Sequence, residues 1–429
     1  MCESKKSGCN EYLNLSRRRL LGLGAGALTA AALPAWLPRV AYADSHASRD
    51  VIVSIFLRGG ADALTLCVPF LEDNYYRLRP TLAVPRPDSG APNRAIDLDG
   101  RFGLPPSMAP LMDAWNAGHL AMVHACGQPT ANRSHFDAMH VVEVGHGEPP
   151  GTLTTGWLGR HLMQTAPTQS GGALRAISLG FGLPRTLAGA PASLPINDPT
   201  NFGLQGDPAT AAARRTAIET MYADLQDPLG AAARQTFQTL DLLQRLDIAN
   251  YQPAGGLAYP ENEFGQALRS AAALIRAEEG IEAIAIDIGG WDTHEFQGST
   301  DGELHELAAT FAGGLAAFHA DLQNAGQDRV TTVAVSEFGR NVFENGSAGT
   351  DHGYGGVMFA LGSQVAGGRV IADWPGLEDE ELYEGQDLQI TIDYRDVLAE
   401  MLEKRLGSAN ATAVFDDPSF APSPRGLFL

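Results

Sequence analysis

The sequence predicts an α/β protein with a mostly parallel sheet, helices on both faces and a helical insertion near residues 207–250. Two observations carry this. Short apolar runs rich in Val and Ile, at 51–57, 281–288 and 330–335, have the composition of strands buried on both faces. Helical patterns at about 264–279 and 302–323 alternate with them, and strand, helix, strand in that order marks a parallel sheet.

The elements follow in order. The run 51–57 ends at Arg58-Gly59-Gly60, a glycine turn after a buried first strand. Residues 80–107 carry six prolines and read as loop, before a second strand at 119–125. Ser134-His135-Phe136-Asp137 reads as a helix start with Ser134 or a neighbour as cap. Between 207 and 247 an Ala, Arg, Gln, Leu and Glu pattern broken at Pro228-Leu229-Gly230 predicts a helical hairpin outside the sheet. The helix near 264–279 stops at Gly280, a glycine C-terminal signal. After 330–335 a glycine-rich loop leads to a strand at 356–361, and a last helix runs from Asp393, its N-cap, to about 404, with Arg395 as a structural ion-pair partner.

With 429 residues the chain has room for one large α/β domain, expected over 50–429. Hydrophobic residues at 44% and charged residues at 19% exclude wholesale disorder. Thirty Lys and Arg against fifty Asp and Glu give a net charge of −20, which speaks against a nucleic-acid partner. A small anionic substrate remains compatible, provided a metal or an arginine reverses the local field.

Residues 1–43 read as an address. Ser16-Arg17-Arg18-Arg19-Leu20-Leu21 leads into an apolar Gly/Ala-rich run and then Ala41-Tyr42-Ala43, an A-x-A cleavage site. The pattern resembles a twin-arginine signal, cleaved after Ala43, which makes the export machinery a partner and the periplasm or exterior the destination. Pro34 interrupts a run shorter than the ~20 residues of a membrane span, so no stable span is expected after cleavage. Six Lys/Arg and two Asp/Glu leave with the signal, so the mature charge is −24. Cys2 and Cys9 leave too. Cys67 and Cys126 then form one disulfide or stay as two buried thiols, and no Cys-based zinc or iron–sulfur site is available.

In parallel α/β sheets ligands bind beyond the carboxyl ends of the strands. The polar residues there are Arg58 and Asp62 after the first strand, Asp292 and His294 after 281–288, and Glu337 and Arg340 after 330–335; Asp351 and His352 stand before 356–361. Carboxylates and imidazoles without cysteine are the ligand set of zinc, manganese or another divalent oxygen/nitrogen site. Each also has a structural role open to it. Asp292 can cap its turn, Glu337 can pair with Arg340 or Arg58, and Asp351-His352 can be turn chemistry. His124, His135, His140 and His146 fit no zinc signature.

Leu57-Arg58-Gly59-Gly60-Ala61-Asp62, Arg133-Ser134-His135-Phe136-Asp137, Trp291-Asp292-Thr293-His294, Ser336-Glu337-Phe338-Gly339-Arg340, Thr350-Asp351-His352-Gly353 and Asp393-Tyr394-Arg395-Asp396 resemble successive landmarks of the bacterial secreted family known as domain of unknown function 1501. The resemblance runs from about Val51 to the C-terminus. It implies an alkaline-phosphatase-like three-layer sandwich and the sulfatase-like superfamily's metal-dependent hydrolysis of phosphate or sulfate esters. It puts the nucleophile on Ser134 and metal ligands on Asp292, His294, Glu337 and His352. The carboxylate expected at the end of the first strand falls on Arg58, with Asp62 as its substitute. Phe338, in a position where the superfamily has a ligand, has no ligating atom. A one-metal or altered site is therefore expected.

The reading is an exported metal-dependent hydrolase of phosphate or sulfate esters, with zinc, manganese or calcium and a small anionic ester as substrate. Ser134 or a bound water attacks, and Arg133, Arg58 or Arg340 holds the anionic group. The alternative is an exported, catalytically degenerate binding protein on the same fold, favoured by Phe338 and Arg58. A redox enzyme has little support, because no Gly-x-Gly-x-x-Gly follows a first strand.

Overall fold

A computed structural model describes residues 50–429 apart from 150, 152, 168–173, 181, 226–227 and 409–410. The expected signal and its cleavage site lie outside the described residues. Among the described residues the main sheet has nine strands: β1 Val51–Leu57, β2 Leu120–Gly127, β3 Ala176–Leu179, β4 Ser193–Pro195, β5 Ala283–Ile288, β6 Val330–Ser336, β7 Gly356–Leu361, β8 Arg369–Ile371 and β9 Ile392–Asp393. Their order is β8-β2-β7-β6-β1-β5-β3-β4, and β9 continues the β8 edge along the end of β2. β1 lies near the centre, paired in parallel with both β5 and β6. Only β7 is reversed, antiparallel to β2 and β6.

The longer helices are α1 His135–Val144, α2 Trp157–Gln164, α3 Ala211–Tyr222, α4 Pro228–Leu246, α5 Glu263–Arg276, α6 Gly302–Asn324 and α7 Tyr394–Leu406. Alternation along β1 sorts them into two layers, because successive strand residues point to opposite faces. Val51, Val53, Ile55 and Leu57 pack with Phe264 and Leu268 of α5 and with Phe311, Leu315 and Phe318 of α6. Ile52 and Phe56 pack on the other face with Trp157 and Leu158 of α2 and Val397, Leu398 and Met401 of α7. All seven side chains of β1 are buried, and six of them are apolar, Ser54 being the exception. The stretch read as a helical hairpin carries α3 and α4, joined by the Arg215–Asp241 ion pair. The strand pair β3–β4 and helix α2 have no counterpart in the sequence reading.

Strand register explains where chemistry can gather. Leu57 of β1 sits level with Ile288 of β5 and Ser336 of β6, so the residues that follow all three leave the sheet at one height. β2 runs in the same sense and delivers α1 to that edge. β7 runs the other way, so the residues before it, Asp351 and His352, arrive there as well.

Candidate metal centre

His135, Asp292 and His352 bring their ligand atoms within 4.8 Å of one another at this edge. His352 Nε2 lies 3.1 Å from Asp292 Oδ1, and His135 Nε2 lies 3.4 Å from Asp292 Oδ2. His294 joins them, its Nε2 being 3.0 Å from both Asp292 Oδ1 and His352 Nε2.

The other nitrogen of each ring is anchored to an oxygen. His135 Nδ1 is 2.8 Å from Glu337 Oε1, His352 Nδ1 is 3.0 Å from the Arg133 carbonyl, and His294 Nδ1 is 3.0 Å from Asp351 Oδ1. An Nδ1–H that donates to these acceptors fixes the tautomer and leaves each Nε2 with a lone pair facing Asp292. Three lone pairs and a carboxylate meeting without a proton between them repel one another unless a cation is present. His135 Nε2 is moreover buried without a hydrogen-bond partner. The donor set therefore fits a divalent ion.

Electrostatics agree with this geometry. Partial burial works against the charge on Asp292, but the hydrogen bond and positive charge of Arg340 outweigh it and hold the carboxyl down to about 2. Burial lowers the His352 pKa and favours the neutral ring that a ligand must be. The hydrogen bond from His294 holds Asp351 below the ordinary carboxylate range.

Phe338 is the floor rather than a ligand. It is buried, with its ring centroid 4.9 Å from those of both His135 and His352. Gly59, at φ +127°, is required by close approach, since a Cβ there would stand 2.5 Å from the Asp292 amide nitrogen.

A family model described as a protein of unknown function (DUF1501) matches residues 49–416. The chain belongs to this family. No curated protein matches it. Among solved structures it is similar to the zinc complex of the C-terminal periplasmic domain of EcEptC from Escherichia coli, at 12% identity and a TM-score of 0.31, with 76% of each chain covered. Among the described residues no helix is long and apolar enough to cross a membrane.

In this family member the expected site residues divide sharply. Asp292, His294 and His352 come together as ligand candidates. Glu337 does not face the cluster's centre and pairs with neither Arg340 nor Arg58; it is buried and accepts from His135 and from the Gly59 amide at 2.9 Å. Asp62, expected as a ligand, is spent elsewhere. It lies in a bidentate pair with buried Arg79, at 2.6 and 3.0 Å, and accepts from Thr65 and Gln297 as well. Despite its burial, that pair keeps its pKa below the ordinary value.

The three arginines expected to hold an anion are also engaged. Arg340 is fully buried and donates to the carbonyls of Gly59, Gly60, Trp291 and Thr350 and to Asp292, clamping three loops together. Arg58 is held by Asp287 and Glu143 and lines a separate cleft of about 350 Å³ with Ser178 and Arg185. The Arg133 guanidinium pairs with Asp387 and Glu384, while its carbonyl orients His352. Ser134 is exposed at the N-cap of α1 and makes no side-chain capping bond, its amide being taken by Asn132 Oδ1 at 2.8 Å.

Sequence reasoning missed His135. The signal was its position one residue after the expected nucleophile, at the start of a helix that follows a strand. Cys67 and Cys126 are free, buried thiols, each with its pKa pushed up by burial.

Proposed function

We propose that the chain is an exported, metal-dependent hydrolase of phosphate or sulfate esters. The observation that carries this is the convergence of three anchored imidazoles on Asp292, with the His135 Nε2 lone pair buried and unpartnered. His135, Asp292, His294 and His352 would hold the ion. Imidazole-rich ligation favours zinc or manganese over calcium, which takes oxygen ligands. A bound divalent ion supplies Lewis acidity and lowers the pKa of a hydroxyl or water at the site.

The chain's own residues supply the rest. Ser134 presents a hydroxyl not spent on capping, and the N-terminus of α1 favours the negative charge of an ester group brought to it. Asp292, ionised down to about pH 2, holds its hydrogen bond from Arg340 throughout the neutral range. Residues 1–43 would act as a twin-arginine signal, so that the exported chain begins at Asp44.

Elemental analysis of the signal-cleaved protein, beside a His294→Ala, His352→Ala double variant, tests the reading together with a panel of chromogenic phosphate and sulfate esters. Near-stoichiometric zinc or manganese that the double variant loses, with ester turnover that Ser134→Ala abolishes while keeping the metal, is expected. A folded, metal-free wild type without esterase activity refutes it. That outcome would favour the second reading, an exported binding protein, for which the full engagement of Arg58, Arg133 and Arg340 speaks.

A further inference from the structure

Two phenylalanines stand out on the surface. Among the described residues Phe136, 88% exposed, and Phe296, 76% exposed, are the most exposed large apolar side chains and the only exposed aromatic ones. Isolated exposed apolar residues are ordinary. Each of these two stands beside a histidine of the cluster in the chain: Phe136 directly follows His135 at the start of α1, and Phe296 lies two residues after His294 in the loop leaving β5. They approach one cluster from two separate segments.

Phe296 is held there against backbone preference. Its φ is +46°, a left-handed value that a bulky side chain disfavours. The conformation is imposed from both sides. The Phe296 and Gln297 amides donate to the carbonyls of Ser347 and Ala348, each at 2.9 Å. Gln297, fully buried, accepts from the Thr293 and Thr350 hydroxyls at 3.0 and 2.6 Å and donates to Asp62 at 2.8 Å. Backbone held in such a region by its surroundings is characteristic of functional sites. The buried Asp62–Arg79 pair, spent on no ligand, is one end of the network that presents this ring.

We infer that Phe136 and Phe296 form an aromatic rim that grips an apolar group of the substrate ester, beside the metal centre. The inference rests on the metal-hydrolase reading. It supplies what the site otherwise lacks, because the three arginines expected to hold an anion are engaged and the acidic end of the substrate has only the ion and the α1 N-terminus to bind it. The rim residues would set specificity and take no part in the chemistry.

The test uses two non-hydrolysable probes of equal charge, phenylphosphonate and methylphosphonate, titrated calorimetrically into the zinc-loaded, signal-cleaved protein. The variants are Phe136→Ala, Phe296→Asn and the double, asparagine being chosen because it accepts a left-handed backbone. Wild type should prefer the phenyl probe by about tenfold, the scale of one aromatic contact. The double variant should lose that preference while zinc stoichiometry, melting temperature and methylphosphonate affinity stay unchanged. A preference that survives in the double variant, or is absent from wild type while both phosphonates bind, overturns the rim and leaves the metal reading standing. Absence of zinc, or zinc without binding of either phosphonate, refutes that reading and the rim with it.

Discussion

Replacing Glu337 by Gln isolates the role of a buried charge behind the metal centre. The Glu337 side chain is fully buried, and its Oε1 accepts from Gly59 N at 2.9 Å and lies 2.8 Å from His135 Nδ1. A glutamine has the same shape and can keep both contacts through its carbonyl oxygen. Its amide nitrogen would then face Ser336 Oγ, 3.0 Å from the present Oε2, and that hydroxyl can accept because its own proton goes to the Leu57 carbonyl at 2.7 Å. Only the charge is lost. Charge-assisted hydrogen bonds are worth about 1.5–3 kcal/mol against about 1 for neutral ones, so His135 loses roughly 1–2 kcal/mol of support when it becomes a ligand. That corresponds to a fall in zinc affinity of about tenfold, within the 10- to 100-fold range for residues that orient metal-bound histidines. Competition with a chelator of known affinity at pH 7 measures it, with the melting temperature of the metal-free protein as control. Unchanged zinc affinity in a variant of unchanged stability would refute the argument that the buried charge of Glu337 supports His135 as a ligand.

Asp62→Asn should leave zinc bound at full stoichiometry yet destabilise the protein by about 3–5 kcal/mol, because buried Arg79 loses its counter-charge; chemical denaturation with elemental analysis checks both, and loss of metal without loss of stability would restore Asp62 as a ligand. His124 gives a pH dependence. Its Nε2 is 2.9 Å from the Cys67 carbonyl and its Nδ1 accepts from the Ala125 amide at 2.8 Å, so a second ring proton would break a bond; burial, the main cause, lowers its pKa from 6.5 to about 4. Above pH 6.5 neither state is protonated and its contribution is intact. Between 6.5 and about 4 only the unfolded chain binds the proton, so stability should fall by about 1.4 kcal/mol per pH unit, roughly 3 in all. A His124→Gln variant should lack that increment in denaturation curves across the range, and equal slopes would contradict it.

The sequence by itself determined the sheet and its edge. Runs of Val and Ile too apolar for one-sided strands could only be central parallel strands, and the glycine turns after them could only lie at their carboxyl ends. Asp292, His294 and His352 were legible for that reason, each a short step from a strand end or start. Tertiary structure decided which polar residue does what, because that depends on partners the fold brings together, from 17 positions away for Asp62 to 278 for Glu337. Asp62 and Glu337 look alike in sequence as carboxylates beside strand ends. Arg79 captures the first, while His135 and the Gly59 amide claim the second. Arg340 and Arg58 looked available to an anion until the carbonyls of three loops and the carboxylates of Glu143 and Asp287 took their donors. His135 was hidden because metal-ligand spacing is a rule about residues on one element, whereas this cluster draws His135 from α1, Asp292 and His294 from one loop and His352 from another. The strand register that brings those loops to one height is a property of the folded sheet, set by backbone hydrogen bonds that no local pattern of side chains encodes.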